Sequence, residues 1–227
     1  MDKLTLLIPA NKEAESLPVF LKELEKFDYN ILVVLQKEDT ETINSIIDFK
    51  NIKICTQKNK GYGSALKEGI ENIKTPFFSI INADGSMDPN YLNEMLTLCE
   101  NNDFVFASRY LKGGGSDDDD IVTFVGNKIF SFIGNLLFNL NLSDILYTYI
   151  VGKTNSAKEL SLFYHDFRIC VEIPIKAKFK NLNFISTPSK ERKRIGGIKK
   201  VNAVRDGFLI LIAILIFFFK KILRLSK

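Results

Sequence analysis

Five short apolar runs, at residues 3–8, 30–35, 52–56, 77–81 and 104–107, alternate with segments whose apolar residues follow helical spacing. Leu17, Phe20, Leu21, Leu24 and Phe27 mark one such segment, opened by Ser16-Leu17-Pro18. Residues 40–48, 63–73 and 89–99 supply three more, the last with Pro89 at its start. Proline is tolerated there because the first helical N–H has no intrahelical partner. Short links between alternating strands and helices leave one economical solution. It is an α/β fold with a mostly parallel sheet, right-handed crossovers and helices on both faces. A late strand is expected at 183–187, ended by Pro188.

In such a sheet, polar groups delivered by the carboxyl ends of the strands line the functional crevice. The fourth run stops in Asn82-Ala83-Asp84-Gly85-Ser86. Side chains at i and i+2 of an extended segment share a face, so Asn82 and Asp84 can point at one cation. Oxygen ligands of this kind suit Mg²⁺ or Mn²⁺. A strand-end turn with a capping aspartate is the competing reading. The first run ends in Pro9-Ala10-Asn11-Lys12-Glu13, where Glu13 is either a site carboxylate or a helix-start carboxylate favoured by the macrodipole. Gly61 and Gly63 precede a helix, where backbone can approach an anion closely.

Charge is unevenly placed. The net charge is +4, yet residues 190–227 hold 11 Lys/Arg against 2 Asp/Glu, and the remainder is net acidic. A basic tail beside an apolar run points to anionic membrane or phosphate groups, and the absence of Trp argues with it against nucleic acid. Cys55, Cys99 and Cys170 show no metal-ligand spacing and imply a reducing compartment. No signal peptide is read at the N-terminus. Residues 207–219 are uninterrupted apolar sequence between Arg205-Asp206 and Lys220-Lys221. As a helix they cover about 20 Å, short of the roughly 30 Å hydrocarbon core. A membrane-associated helix is expected, with a buried core helix as the alternative. The chain is accordingly divided into a globular domain at 1–200 and a basic, apolar helix at 201–227.

The segments LLIPANKEAESL, NKGYGSALKEGI, INADGSMDP and ASRYLKGG occur in that order, followed by ERKRIGGIKKVNAVRDGF. Together they resemble glycosyltransferase family 2 with the GT-A fold, most closely its polyprenyl-phosphate sugar synthase branch, which resembles dolichyl-phosphate mannose synthase. The resemblance implies transfer of a sugar from a nucleotide-diphosphate sugar to a polyprenyl phosphate, with inversion, at the cytoplasmic membrane face. It places Pro9, Ala10, Glu13, Gln36, Gly61, Gly63 and Asn82 on the nucleotide side. Asp84, Asn82 and Ser86 are implied to hold Mg²⁺ or Mn²⁺, with Asp84 and Arg109 central to catalysis. Arg109, Lys112, Asp144, Arg192, Arg194 and Lys199 are implied on the acceptor side, the last three on a basic loop able to close as a gate. For Arg109 a surface salt bridge, and for Asp144 a helix cap, are the rival readings. A membrane-protein partner or a homo-oligomer is compatible with this picture.

The chain also departs from the family pattern. Leu35 and Gln36 stand where relatives carry acids, Tyr62 where many carry Lys, and Asn82 where Asp is usual. After Ser143-Asp144 the usual Arg is absent. Two further functions therefore stay open. One is a hydroxyl acceptor, needing Glu172 or Asp144 as base. The other is a non-catalytic member that binds nucleotide or lipid. The run at 117–120 is read as a solvated, mobile loop, and His165 as a surface or turn residue.

Overall fold

The sheet strands alternate their side chains between two separate cores, which explains why the apolar runs are nearly continuous. In the computed structural model, residues 3–197 and 200–223 are described. The strands are β1 (Leu4–Pro9), β2 (Asn30–Leu35), β3 (Ile52–Thr56), β4 (Phe77–Ile80), β5 (Phe104–Ser108), β6 (Gly115–Ser116), β7 (Ile150–Lys153), β8 (Phe184–Pro188) and β9 (Lys190–Glu191). The α-helices are α1 (Leu17–Leu24), α2 (Thr40–Ile46), α3 (Tyr62–Asn72), α4 (Leu92–Glu100), α5 (Ile121–Phe138), α6 (Thr154–Glu159), α7 (Ile169–Phe179) and α8 (Ala203–Ile222). Seven strands form one sheet in the order β3-β2-β1-β4-β7-β5-β8, and β6 pairs with β9 as a separate ribbon.

One face buries Leu7, Leu32, Val34, Phe78, Phe104 and Phe106 beneath α3, α7 and α8. The other buries Leu6, Ile8, Val33 and Leu35 beneath α1, α2 and α4. Neighbouring residues of one strand thus serve opposite cores, as the two-residue period requires. Parallel strands covered on both faces read as unbroken apolar runs for this reason.

The six strands expected in the main sheet are present, and a seventh was not foreseen. β7 lies antiparallel between β4 and β5, with Ile80 opposite Ile150 and Phe106 opposite the same residue. At Gly152 an added Cβ would lie 2.6 Å from a Phe104 ring carbon and 2.8 Å from one of Phe78. The bare backbone there lets two core aromatics pack across the new strand.

α5 is one helix of 18 residues, with Asp120 accepting the Thr123 N–H at its start and Asn139 in the left-handed region at its end. Its polarity is inside out. The buried positions are Asn127, Ser131, Gly134 and Phe138, whereas Ile121, Val122, Phe124, Val125, Ile129, Phe132 and Leu136 are exposed. Among the described residues it is the helix long and apolar enough to cross a membrane. α8 divides its surface. Ile210, Ala213, Ile214 and Phe217 enter the core, and Val204, Phe208, Leu215, Ile216, Phe219 and Ile222 face out. The terminal helix is therefore a core helix along one stripe and exposed apolar surface along the other.

Candidate functional site

The ends of β1, β2 and β4 open onto one cleft of about 440 Å³, within the size range of small-molecule sites. Pro9, Ala10, Glu13, Gln36, Gly61, Asn82, Asp84, Ser86, Arg109 and Arg194 all line it. Residues far apart in sequence thus converge on one place, as expected for the crevice of an open α/β sheet.

Asp84 sits in the turn after β4. Its Oδ1 accepts the Ser86 N–H at 3.0 Å, and its Oδ2 lies 3.9 Å from an Arg194 nitrogen. Asn82 Oδ1 receives the Tyr62 hydroxyl at 3.4 Å, while that hydroxyl also contacts Thr148 Oγ1 at 2.6 Å. Burial pushes the Tyr62 phenol well above its ordinary value, so it stays protonated. Tyr62 stacks on Phe167 with ring centroids 5.0 Å apart. An aromatic floor therefore replaces the charge that a lysine would bring. Asp84 and Asn82 offer one carboxylate and one amide oxygen to a divalent cation, leaving the remaining positions to phosphate oxygens and water, a common arrangement for Mg²⁺. No group of three acidic, His or Cys ligands is found among the described residues. The donor set fits a cation that arrives with a diphosphate.

Glu13 is held by the Ser16 hydroxyl at 2.6 Å, and Lys200 Nζ stands 3.2 Å from its other oxygen without hydrogen-bond geometry. Gly61 has φ +113°, open only to glycine at low strain, and it leads into α3. Gly63 is buried against the chain at 164–166 rather than lining the cleft. A Cβ at Gly63 would meet Tyr164 O at 2.5 Å and Asp166 O at 2.9 Å, both backbone atoms. Overpacking of this kind costs about 1–3 kcal/mol. Gly63→Ala is expected to lower the melting temperature by about 3–10 °C; an unchanged melt by circular dichroism would contradict the close approach.

Arg109 is not a free phosphate ligand. It is buried and binds Asp144 through Nε at 2.7 Å and a terminal nitrogen at 3.0 Å. Its other terminal nitrogen reaches Glu191 at 3.1 Å and Asp119 at 3.2 Å. Burial opposes the guanidinium charge, but Asp144 and then Glu191 outweigh it and hold the group protonated. Burial is also what pushes the Glu191 carboxyl upward, against the pull of Arg109. Asp144 thus positions Arg109 from behind and does not line the cleft. Tyr147 lies under the guanidinium at 4.5 Å.

Other expected site residues fall elsewhere. Arg192 lies off the cleft, pairing with Glu23 at 2.8 Å and donating to Gly85 O at 2.7 Å. It anchors the basic segment because its long side chain reaches across to α1. Lys112 is exposed and also outside the cleft. Lys199 lies outside the described residues. Arg194 remains in the cleft and pairs with Asp118 at 2.5 Å. Glu172 is fully buried, accepting the backbone N–H groups of Phe163 and Tyr164 and pairing with Lys176 at 2.8 Å. It braces a turn and has no access to a substrate. The exposed His165 does sit in that turn, with Nδ1 2.7 Å from Ser64 Oγ. The run at 117–120 is not simply solvated, since Asp118 and Asp119 carry the ion pairs named above.

Comparison with known proteins agrees with the fold. An uncharacterized glycosyltransferase of Mycobacterium tuberculosis is 32% identical over 95 residues, 42% of this chain and 43% of the relative's length. An uncharacterized protein of Methanocaldococcus jannaschii is 24% identical over 218 residues, 92% of this chain and 90% of the relative. Glucosyl-3-phosphoglycerate synthase from Mycobacterium tuberculosis, solved with Mn²⁺, UDP-glucose and phosphoglyceric acid, superimposes with a TM-score of 0.73. It is 12% identical, over 96% of this chain and 80% of that one, a likeness of fold. The sequence profile of Glycosyl transferase family 2 matches residues 5–161, more than half of the chain. With a GT-A-like sheet whose strand ends carry the cleft, the chain belongs to glycosyl transferase family 2.

Proposed function

We propose that this chain transfers a sugar from a nucleoside-diphosphate sugar to a phosphate-bearing lipid acceptor, a polyprenyl phosphate, at the cytoplasmic face of a membrane. The observation that carries the lipid side is the inside-out helix α5. It starts beside the cleft, turns Asn127, Ser131 and Gly134 inward, and presents an apolar outer face. Its neighbour α8 adds Phe208, Leu215, Phe219 and Ile222 to the exposed apolar surface. Lys221 Nζ donates to Leu137 O at 2.8 Å and ties the two helices together. Contiguous apolar surface of this kind marks an interaction site, and lysines beside it suit anionic headgroups.

The chemistry follows from what the acceptor brings. A phosphate oxygen is already ionised at neutral pH and needs little general-base help. It forms the new bond to the anomeric carbon, while the bond from that carbon to the diphosphate breaks with its electron pair. The nucleoside diphosphate leaves with the extra charge. A divalent cation held by Asp84 and Asn82, when bound, would neutralise that charge. A hydroxyl acceptor would need a base. Glu172 and Asp144, the two acids considered for that role, are both committed to internal partners.

The test incubates the full chain with radiolabelled nucleotide sugars, Mn²⁺ and vesicles carrying a polyprenyl phosphate. Organic-extractable, acid-labile label supports the reading. Label appearing only in a water-soluble phosphorylated acid would support a small acceptor, like the phosphoglyceric acid bound by the structural neighbour. No label in any fraction would leave a binding role.

A further inference from the structure

The acidic run at 117–120 is absorbed by neither the sheet nor the proposed reaction. Asp120 opens α5. The other three carboxylates turn back onto cations of the basic segment and the cleft. Asp117 lies 3.1 Å from Lys190, Asp118 2.5 Å from Arg194, and Asp119 3.2 Å from Arg109. The placement is built in. β6 pairs Gly115 with Lys190 and Ser116 with Glu191, fixing the run opposite the basic segment. Ser116 Oγ then accepts the N–H groups of Asp118 at 3.2 Å and Asp119 at 2.9 Å. Tyr110 donates its hydroxyl to Asp119 at 2.6 Å.

Arg109 and Arg194 are the two guanidinium groups lining the cleft among the described residues, and each has a carboxylate of this run where an anion would bind. Five carboxylates and three cations line the cleft, an acidic excess unsuited to an anionic ligand. Asp118 and Asp119 account for that excess.

We infer that Asp118 and Asp119 are an internal stand-in for the acceptor's phosphate, exchanged for it when the acceptor binds. The inference rests on the proposed reading that the acceptor carries a phosphate. A phosphate monoester has nearly two charges and three acceptor oxygens, against one charge and two oxygens for a carboxylate. It can take a guanidinium from an aspartate, whereas a neutral alcohol cannot. The run therefore acts as a specificity device that rejects uncharged acceptors. Its release also displaces the start of α5, where Ile121 and Val122 are exposed. Phosphate binding and the apolar face are mechanically joined at that turn.

The test is calorimetric titration of the full chain with inorganic phosphate, farnesyl phosphate and farnesol, without sugar donor. Asp118→Asn is expected to tighten both phosphates about fivefold, the order of one part-buried ion pair. Asp118→Asn/Asp119→Asn is expected to tighten them further, with farnesol unaffected. Tightening for farnesyl phosphate alone would add the lipid chain to the recognition and still support the exchange. Unchanged or weaker affinity for both phosphates in a variant with a native melt overturns it, since merely structural aspartates would give that result. Hydrogen exchange on the unaltered chain gives a second reading that needs no variant. Saturating phosphate is expected to deprotect the Asp117, Asp118 and Asp119 amides, and retained protection overturns the exchange. Because no sugar is present, failure here leaves the transfer reading standing, and failure of transfer leaves this result readable.

Discussion

Asp84→Ala is expected to lower sugar transfer about 100- to 1,000-fold while leaving the melting temperature within about 2 °C, the small shift usual for a substitution away from core or network features. The reasoning is local. Among the described residues the Asp84 side chain accepts one hydrogen bond, from the Ser86 N–H, and its second oxygen faces Arg194 at 3.9 Å. Little of the fold depends on that carboxylate. On the proposed reaction the rate depends on it, because a leaving diphosphate gains charge as the glycosidic bond breaks, and charge stabilisation at that point is usually the largest single contribution. Asn82 contributes an oxygen without charge, and Tyr62 shares it. Between Ile81 and Met87 the chain carries no carboxylate besides Asp84. The measurement is kcat with nucleotide sugar and Mn²⁺ against vesicles. Retention of more than a tenth of the activity would remove Asp84 from its assigned role. Asn82→Asp supplies the converse: it restores a second charge and is expected to lower the Mn²⁺ concentration needed for half-maximal rate.

The central strands β1, β2, β4 and β5 were legible because they are buried on both faces, so local composition carries the signal; the edge strand β3 is largely exposed and was marked by its apolar alternation. β7 was not, since its four residues follow an apolar stretch from Ile145 and enter the sheet against the parallel direction. Strand-end residues were legible for a topological reason: Pro9, Gln36 and Asn82 each follow a recognisable strand and so share one edge. The state of each cation was hidden. Arg192 and Arg194 are two positions apart in one basic stretch, yet one is tied to Glu23 on α1 and the other stays in the cleft. The choice is made by partners 76 and 169 residues away, Asp118 and Glu23, with no local trace. α5 shows the same limit. Its sequence is rich in apolar residues throughout, and which stripe faces inward depends on Tyr110 receiving the Asn127 amide and on Ser131 accepting the Ile145 N–H.

Arg109→Ala is expected to be the most destabilising single change among the cleft residues, at about 3–5 kcal/mol. One guanidinium serves Asp144, Glu191 and Asp119, and Asp144 is 1% exposed. Removing it strands like charges at the buried side of the cleft, and the cost comes from those charges more than from the lost bonds. For a chain of this size the melting temperature should fall by about 10 °C. The distinguishing measurement is the pair Arg109→Met with Asp144→Leu. Replacing both members of a buried ion pair by apolar groups of similar volume is often neutral or stabilising. The double variant should therefore recover much of the lost melting temperature without recovering transfer, because the Arg109 guanidinium is gone from the cleft. A double variant as unstable as Arg109→Ala would mean that Glu191 and Asp119, rather than Asp144, dominate the penalty. A melting loss below about 3 °C for Arg109→Ala would mean that the three carboxylates can reach water once the arginine is removed, contrary to their burial here.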